Sequence, residues 1–208
     1  MSAEVVGSST TDTEVFIYTG EEGLEAPRDV VRVLVDPSVM SIPANAFKAR
    51  KKLAEVELCE GLVEIGERSF GSFSWCDHSI IKISIPNSLR RICNHAFYYS
   101  LRTLICLHDG IESIGTNAFA SCIFTNFRVP SLITEIPNYM LFNCRTTFSL
   151  ELSEHISEIG SRAFTHCYCL RNVAFPPITR STNILDCQIC CIVAIPTKPA
   201  EGKMESRV

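Results

Sequence analysis

The residues best equipped for chemistry are cysteines, histidines and charged side chains in regular rows. Cys187-x-x-Cys190-Cys191 has the spacing of a metal knuckle, and Cys167-Tyr-Cys169 stands 20 residues upstream. Zinc needs four ligands converging on a tetrahedron, commonly from two such knuckles. Here the upstream pair is Cys-x-Cys and the flanks are apolar and strand-like, so the thiols read as free cysteines packed as small hydrophobes. Cys76-Asp77-His78 and His166-Cys167 hold the atoms of a Cys–His nucleophile. Adjacent residues of a strand point to opposite faces, however, and such a pair must converge in space and be oriented by a third group. The sequence contains neither a Gly-rich phosphate loop nor a His-Glu-x-x-His metalloprotease motif. The expectation is a non-catalytic protein without metal or cofactor, whose chemistry is recognition.

The elements that would position recognition residues come from an internal repeat. A hexapeptide recurs as Ile42-Pro-Ala-Asn-Ala-Phe47, Ile65-Gly-Glu-Arg-Ser-Phe70, Ile92-Cys-Asn-His-Ala-Phe97, Ile114-Gly-Thr-Asn-Ala-Phe119 and Ile159-Gly-Ser-Arg-Ala-Phe164. A looser copy, Ile136-Pro-Asn-Tyr-Met-Leu-Phe142, reads as carrying one extra residue. The steps between successive Ile residues are 23, 27, 22, 22 and 23. Nine and seven residues before each Ile the chain is apolar: Val33 and Val35, Val56 and Leu58, Ile83 and Ile85, Ile105 and Leu107, Phe127 and Val129, Leu150 and Leu152. Such β-branched-rich alternation predicts a short strand with one face buried. Pro86, Pro130 and Pro176 follow the strand positions directly, where a residue without an N–H can end a ladder. A unit of this size cannot bury its apolar side alone. Stacking lays the strands side by side and turns Ile, Ala and Phe into internal columns. The fold expected is an α/β repeat solenoid, a superhelix with one short parallel strand per unit of about 23 residues. The Ala-Phe piece is short and either helical or extended.

The pattern Leu53-x-x-Val56-x-Leu58-x-x-x-Leu62-x-x-Ile65-Gly-x-x-Ser-Phe70 resembles the BspA-type leucine-rich repeat. Ile83-Ser-Ile85-Pro86, Ala118-Phe119-Ala-Ser-Cys122 and Ala163-Phe164-Thr-His-Cys167 are similar to that family's strand-Pro and Ala-Phe-x-x-Cys segments. The wording is also similar to the expanded leucine-rich-repeat sets of protists such as diatoms. The resemblance covers roughly Val30 to Pro176. It implies a curved solenoid with a parallel sheet on the concave side, and binding rather than catalysis. The Cys after Phe is kept at Cys122 and Cys167, reads as shifted at Cys144, and is replaced by Arg50, Phe73 and Ser100.

The strand alternation then assigns the outward rows. One row holds Leu34, Glu57, Ser84, Cys106, Arg128, Glu151 and Ala174; the other holds Arg32, Glu55, Lys82, Leu104, Asn126, Ser149 and Asn172. Arg32, Glu55, Glu57, Lys82, Arg128 and Glu151 mix signs, which suits a protein surface of complementary charge rather than a phosphate chain. The step of 27 places an insertion within Gly71-Ser-Phe-Ser-Trp-Cys-Asp-His78. Phe73 and Trp75 there are candidate interface anchors, or a cover folded back over the solenoid edge. His95 and His166 read as exposed spacers near the corner.

Composition agrees. Nineteen basic against 23 acidic residues leave a net charge of −4, the wrong sign for the counterion release that drives nucleic-acid binding. Eleven cysteines, about 5% of the chain, fall below the roughly 8–10% of a disulfide-stapled scaffold. The longest strongly apolar stretch, Ile189 to Ile195, is short of the roughly 20 residues that span a bilayer. Met1 to Gly20 is polar and lacks the basic start and apolar run of an export signal. A cytoplasmic protein with reduced thiols is expected, binding other proteins without membrane insertion. An adhesion or matrix component assembling through its repeats is the alternative. Residues 1–13 read as a flexible segment, 14–196 as the solenoid with repeats at about 30–176, and 197–208 as a flexible tail. Glu14 to Tyr18 reads as a capping strand and Val193-Ala-Ile195-Pro196 as a shortened last one. The ending Glu205-Ser206-Arg207-Val208 has the form that PDZ domains accept as an added strand.

Overall fold

A computed structural model describes residues 15–72, 80–103 and 105–174. Among these residues the chain winds through thirteen short strands. They are β1 (Val15–Tyr18), β2 (Arg32–Val35), β3 (Ser41–Ile42), β4 (Glu55–Glu57), β5 (Glu64–Ile65), β6 (Lys82–Ser84) and β7 (Arg91–Ile92). Then follow β8 (Ser113–Ile114), β9 (Asn126–Arg128), β10 (Glu135–Ile136), β11 (Ser149–Glu151), β12 (Glu158–Ile159) and β13 (Asn172–Ala174). All pairings between them are parallel.

The alternating apolar positions make a primary sheet, in two parts ordered β1-β2-β4-β6 and β9-β11-β13. Its register matches the spacing of the sequence: Val33 lies beside Val56 and Val56 beside Ile83, while Phe127, Leu150 and Val173 align likewise. Between the parts, residues 105–107 form no strand, yet Ile105 and Leu107 stay buried. The inward positions are therefore set by burial of apolar area, about 1.5–3 kcal/mol per side chain, even where the ladder is lost. The capping strand at Val15–Tyr18 is present and pairs with β2 in full register.

Each turn also holds a second strand that the periodicity does not announce. The residue pair ending in the repeat Ile builds a corner sheet ordered β3-β5-β7-β8, with β10-β12 separate. Ile42, Ile65, Ile92 and Ile114 align across it, and all are buried. Gly66, Gly115 and Gly160 follow the corner residues Ile65, Ile114 and Ile159 because the turn beneath leaves no room. A Cβ at Gly115 would lie 2.5 Å from the Asn94 nitrogen, and one at Gly160 would lie 2.6 Å from the Asn138 nitrogen.

The Ala-Phe piece is not helical. No helix occurs among the described residues, so the α part of the expected α/β class is a run of turns. These turns carry a ladder of their own, in which every second N–H donates to the next coil. Asn45, Phe47 and Ala49 donate to Glu67, Ser69 and Gly71 at 2.9, 2.7 and 3.0 Å. The same rung recurs at His95, Phe97 and Tyr99 and at Tyr139, Leu141 and Asn143. Two left-handed residues shape most rungs: Asn45 and Ala49, His95 and Tyr99, Asn117 and Ser121, Tyr139 and Asn143, Arg162 and His166. His95 and His166 thus occupy fixed slots, not variable spacer positions, and both are half-buried.

Inside the rungs the rings stack. Phe47, Phe70, Phe97 and Phe119 form a column with centroids 5.1, 5.3 and 5.6 Å apart and planes within 9° of parallel. Tyr18 closes the N-terminal end edge-on at 5.0 Å. The next slot corrects the reading of Ile136–Phe142. Leu141, not Phe142, occupies the column at 1% exposure, and Met140 takes the Ala position. No residue is inserted. Cys144 is therefore in register rather than shifted, three residues after the column residue like Cys122 and Cys167. The three thiols form a ladder in which each donates to the carbonyl of the column residue one coil back: Cys122 to Phe97 at 3.0 Å, Cys144 to Phe119 at 3.2 Å and Cys167 to Leu141 at 3.1 Å. Arg50 fills the same slot at the start, donating from Nε to the Ala26 carbonyl at 2.9 Å.

Candidate partner-binding face

The outward rows of the primary sheet are built by strand register. Arg32, Glu55 and Lys82 are direct neighbours across β2, β4 and β6, and Leu34, Glu57 and Ser84 form the parallel row. Glu55 stands between two cations, with Arg32 Nε donating to its Oε2 at 3.1 Å and Lys82 Nζ forming a looser ion pair 3.9 Å away. Lys82 keeps 76% of its side chain exposed, and Glu57 is exposed. Val15 and Ile17 on β1 extend the rows as exposed apolar side chains beside Arg32 and Leu34. A shallow hollow of about 290 Å³ lies over these strands, lined by Val15, Arg32, Leu34, Glu55, Glu57 and Lys82.

The second cluster lies on the other part of the sheet. Arg128 and Glu151 are register neighbours on β9 and β11, with Arg128 Nε 4.0 Å from Glu151 Oε2. Arg128 Nη2 also donates to Asp109 at 3.0 Å, and Asp109 accepts the Ser131 N–H at 2.8 Å. The Arg128 hydrogen bond, then that from Ser131, hold the Asp109 carboxyl down at about 2. The sequence reading missed Asp109, which sits in the turn after the strandless stretch 105–107. Glu60 in the equivalent loop is a sign of the same device, accepting the Asn87 N–H of the next coil at 2.9 Å. The rows thus place six proposed residues on one face in two groups, Arg32, Glu55, Glu57 and Lys82 in one, Arg128 and Glu151 in the other. Phe73, Trp75 and Leu104 lie outside the described residues, as do Cys76-Asp77-His78, Cys187, Cys190, Cys191, Val193–Pro196 and the C-terminal Ser206-Arg207-Val208.

The nucleophile and metal readings find no geometry among the described residues. No group of three or more His, Cys, Asp or Glu converges there as a metal site. Burial pushes the Cys122 thiol up to about 12 and Cys144 well above the ordinary thiol value, the opposite of what a thiolate nucleophile or metal ligand needs. His166 accepts or donates to the Tyr168 hydroxyl at 2.7 Å rather than activating Cys167. No helix is long and apolar enough to cross a membrane among the described residues.

Solved leucine-rich repeat structures are similar to this chain in fold. The chain is similar to a leucine-rich repeat protein from Bacteroides ovatus, at 27% identity and a TM-score of 0.60, over 66% of this chain and 35% of that one. It therefore spans about a third of that protein's length. It is also similar in fold to the leucine-rich repeat protein of Treponema pallidum, at 21% identity and a TM-score of 0.53, over 67% of this chain and 78% of that one. Comparison with curated proteins gives no match. The BspA type leucine rich repeat region matches residues 29–74 and 71–185 with six copies. Coil spacing, the Phe column and the Cys ladder all fall within that span, and the chain belongs to the BspA-type leucine-rich-repeat family.

Proposed function

We propose that the chain is a non-catalytic scaffold that binds another protein through the outward rows of its primary sheet. Leucine-rich repeats of this kind generally serve as protein-interaction or adhesion scaffolds. The observation that supports the finer reading is the register that sets Arg32–Glu55–Lys82 and Arg128–Glu151 across neighbouring coils in alternating sign. Exposed ion pairs contribute only about 0–1 kcal/mol, so a partner of complementary charge can exchange them at small cost. Within each group the paired strands already hold the side chains in place, so little ordering entropy is lost on binding, which favours affinity from a modest contact. Exposed Val15 and Ile17 supply the apolar part of the contact next to the charges. A reducing intracellular setting is part of the proposal. It is supported by Cys122, Cys144 and Cys167, which are packed thiol donors to main-chain carbonyls rather than halves of bridges.

The test is affinity capture from the native cell with wild type and with a Glu57→Lys/Glu151→Lys variant. Loss of the captured protein in the variant, with an unchanged thermal melt, supports the reading. A variant that retains every captured protein at wild-type yield refutes it.

A further inference from the structure

We propose that the array hinges between the Ile114 coil and the Ile136 coil, because Pro137 removes the hydrogen bond that locks the other steps of the corner sheet. Before this step, Gly66 N–H donates to Ile42 at 2.8 Å, Cys93 to Ile65 at 2.9 Å and Gly115 to Ile92 at 2.8 Å; after it, Gly160 donates to Ile136 at 2.7 Å. The residue placed to donate to the Ile114 carbonyl is Pro137, which has no N–H. The adjoining bonds are lost with it. Glu112 and Ser113 both donate to Arg90, whereas Thr134 and Glu135 make no main-chain bond to Glu112. Strands β8 and β10 consequently do not pair, and a groove of about 530 Å³ runs along the step between them.

Two other continuous features are interrupted at or next to this step. The first part of the primary sheet ends one coil earlier, at β6, and its second part starts at β9, so among the described residues neither sheet crosses from the Ile114 coil to the Ile136 coil. The stacked Phe column stops at Phe119, with Leu141 in the next slot. What crosses is the turn ladder, through Asn117, Phe119 and Ser121 donating to Asn138, Met140 and Phe142 at 3.2, 3.2 and 2.7 Å. Cys144 adds its bond to Phe119. That rung is the axis of the hinge, and Asp109, bonded to Arg128 and to the Ser131 N–H, is the clasp at the opposite side. In a quasi-one-dimensional array, each coil depends on its neighbours, so a weak step divides the array into separately opening units. The hinge separates the Arg32–Glu55–Lys82 cluster from Arg128–Glu151. It goes beyond the binding proposal without resting on it, since Pro137 lies off the primary sheet.

Hydrogen exchange of the full chain, read by mass spectrometry, tests this. The proposal expects a step in protection between 112–115 and 134–136, with segment 149–165 exchanging about tenfold faster than 80–97. Pro137→Ala supplies the missing N–H, and the slot tolerates a Cβ because Cys93 stands on Gly66 in the same way. It should slow exchange across 134–160 about tenfold. Pro43→Ala is the control, because β3 is the edge of the corner sheet and a new N–H there has no strand to bond. Asp109→Asn should speed exchange in 149–165 and leave 42–72 and 80–97 unchanged. A smooth gradient toward the end of the array without a step overturns the hinge. So does a Pro137→Ala variant that matches wild type or the Pro43→Ala control, or an Asp109→Asn variant that speeds both regions equally.

Discussion

Truncating Phe119 to Ala should cost more than most single changes in this chain. The ring is fully buried and has aromatic neighbours on two sides, Phe97 at 5.6 Å and nearly parallel, Phe127 at 5.1 Å and edge-on. Removing a core Phe costs ~3–5 kcal/mol in transfer and cavity terms. Each lost aromatic pair is worth ~0.5–1.5 kcal/mol beyond its area, which places the substitution in the upper part of that range. Against a typical total stability of ~5–15 kcal/mol, this is a large share. Urea unfolding followed by far-ultraviolet circular dichroism reads it as a downward midpoint shift of roughly 2 M, at a slope of ~2 kcal/mol/M. Phe119→Leu is the informative companion. Leu141 already fills the equivalent slot one coil later at 1% exposure, so Leu should cost roughly 1.5 kcal/mol or less. An Ala variant within ~0.5 kcal/mol of wild type, or a Leu variant as damaging as Ala, would refute the column as a main source of stability.

Three further outcomes follow from particular contacts. Gly115→Ala should destabilise by ~1–3 kcal/mol through overpacking, because its Cβ would meet Asn94 and Cys93 main-chain atoms at 2.5 and 2.7 Å; a stabilised variant in a urea titration would contradict the close approach. Asp109, held down at about 2 by Arg128 and Ser131, contributes stability that is present above the ordinary carboxyl value near ~4. That contribution is lost as pH falls toward 2. Acid titration of wild type should therefore be steeper between pH ~4 and ~2 than that of Asp109→Asn, and superimposable curves would dismiss the clasp. In native protein, iodoacetamide should modify exposed Cys106 and Cys169 and spare Cys122 and Cys144 until the chain unfolds; native labelling of Cys122, whose thiol burial pushes up to about 12, would show that the ladder is open.

The repeat was legible because its strongest signal is burial. The inward pairs from Val33–Val35 to Leu150–Leu152 repeat at the coil length, so register and the outward rows Arg32–Glu55–Lys82 and Arg128–Glu151 could be read from spacing alone. The corner sheet could not, since a two-residue strand such as Ser41–Ile42 is too short to show alternation. The left-handed rungs were hidden for another reason. Asn45 and Asn117 suit that conformation, but Arg68, His95, Tyr139 and Arg162 adopt it too, held there by inter-coil bonds rather than by their own preference. Phe142 misled because its identity matched the motif while the spacing pointed to Leu141. Spacing was the better guide, as the in-register Cys144 shows. Asp109 escaped notice because its role depends on a cation in the next coil, which no local pattern contains.

The most direct measurement of the central claim is amine labelling of the captured complex. Lys82 projects from the primary sheet with 76% of its side chain exposed, while exposed Lys52 lies in the turn before β4, outside the outward rows. If a partner binds the outward rows, the labelling of Lys82 should fall about tenfold or more on complex formation, as for a buried interface residue, and that of Lys52 should stay as in the free chain. Unchanged labelling of Lys82 in a saturated complex would place the partner elsewhere and contradict the account.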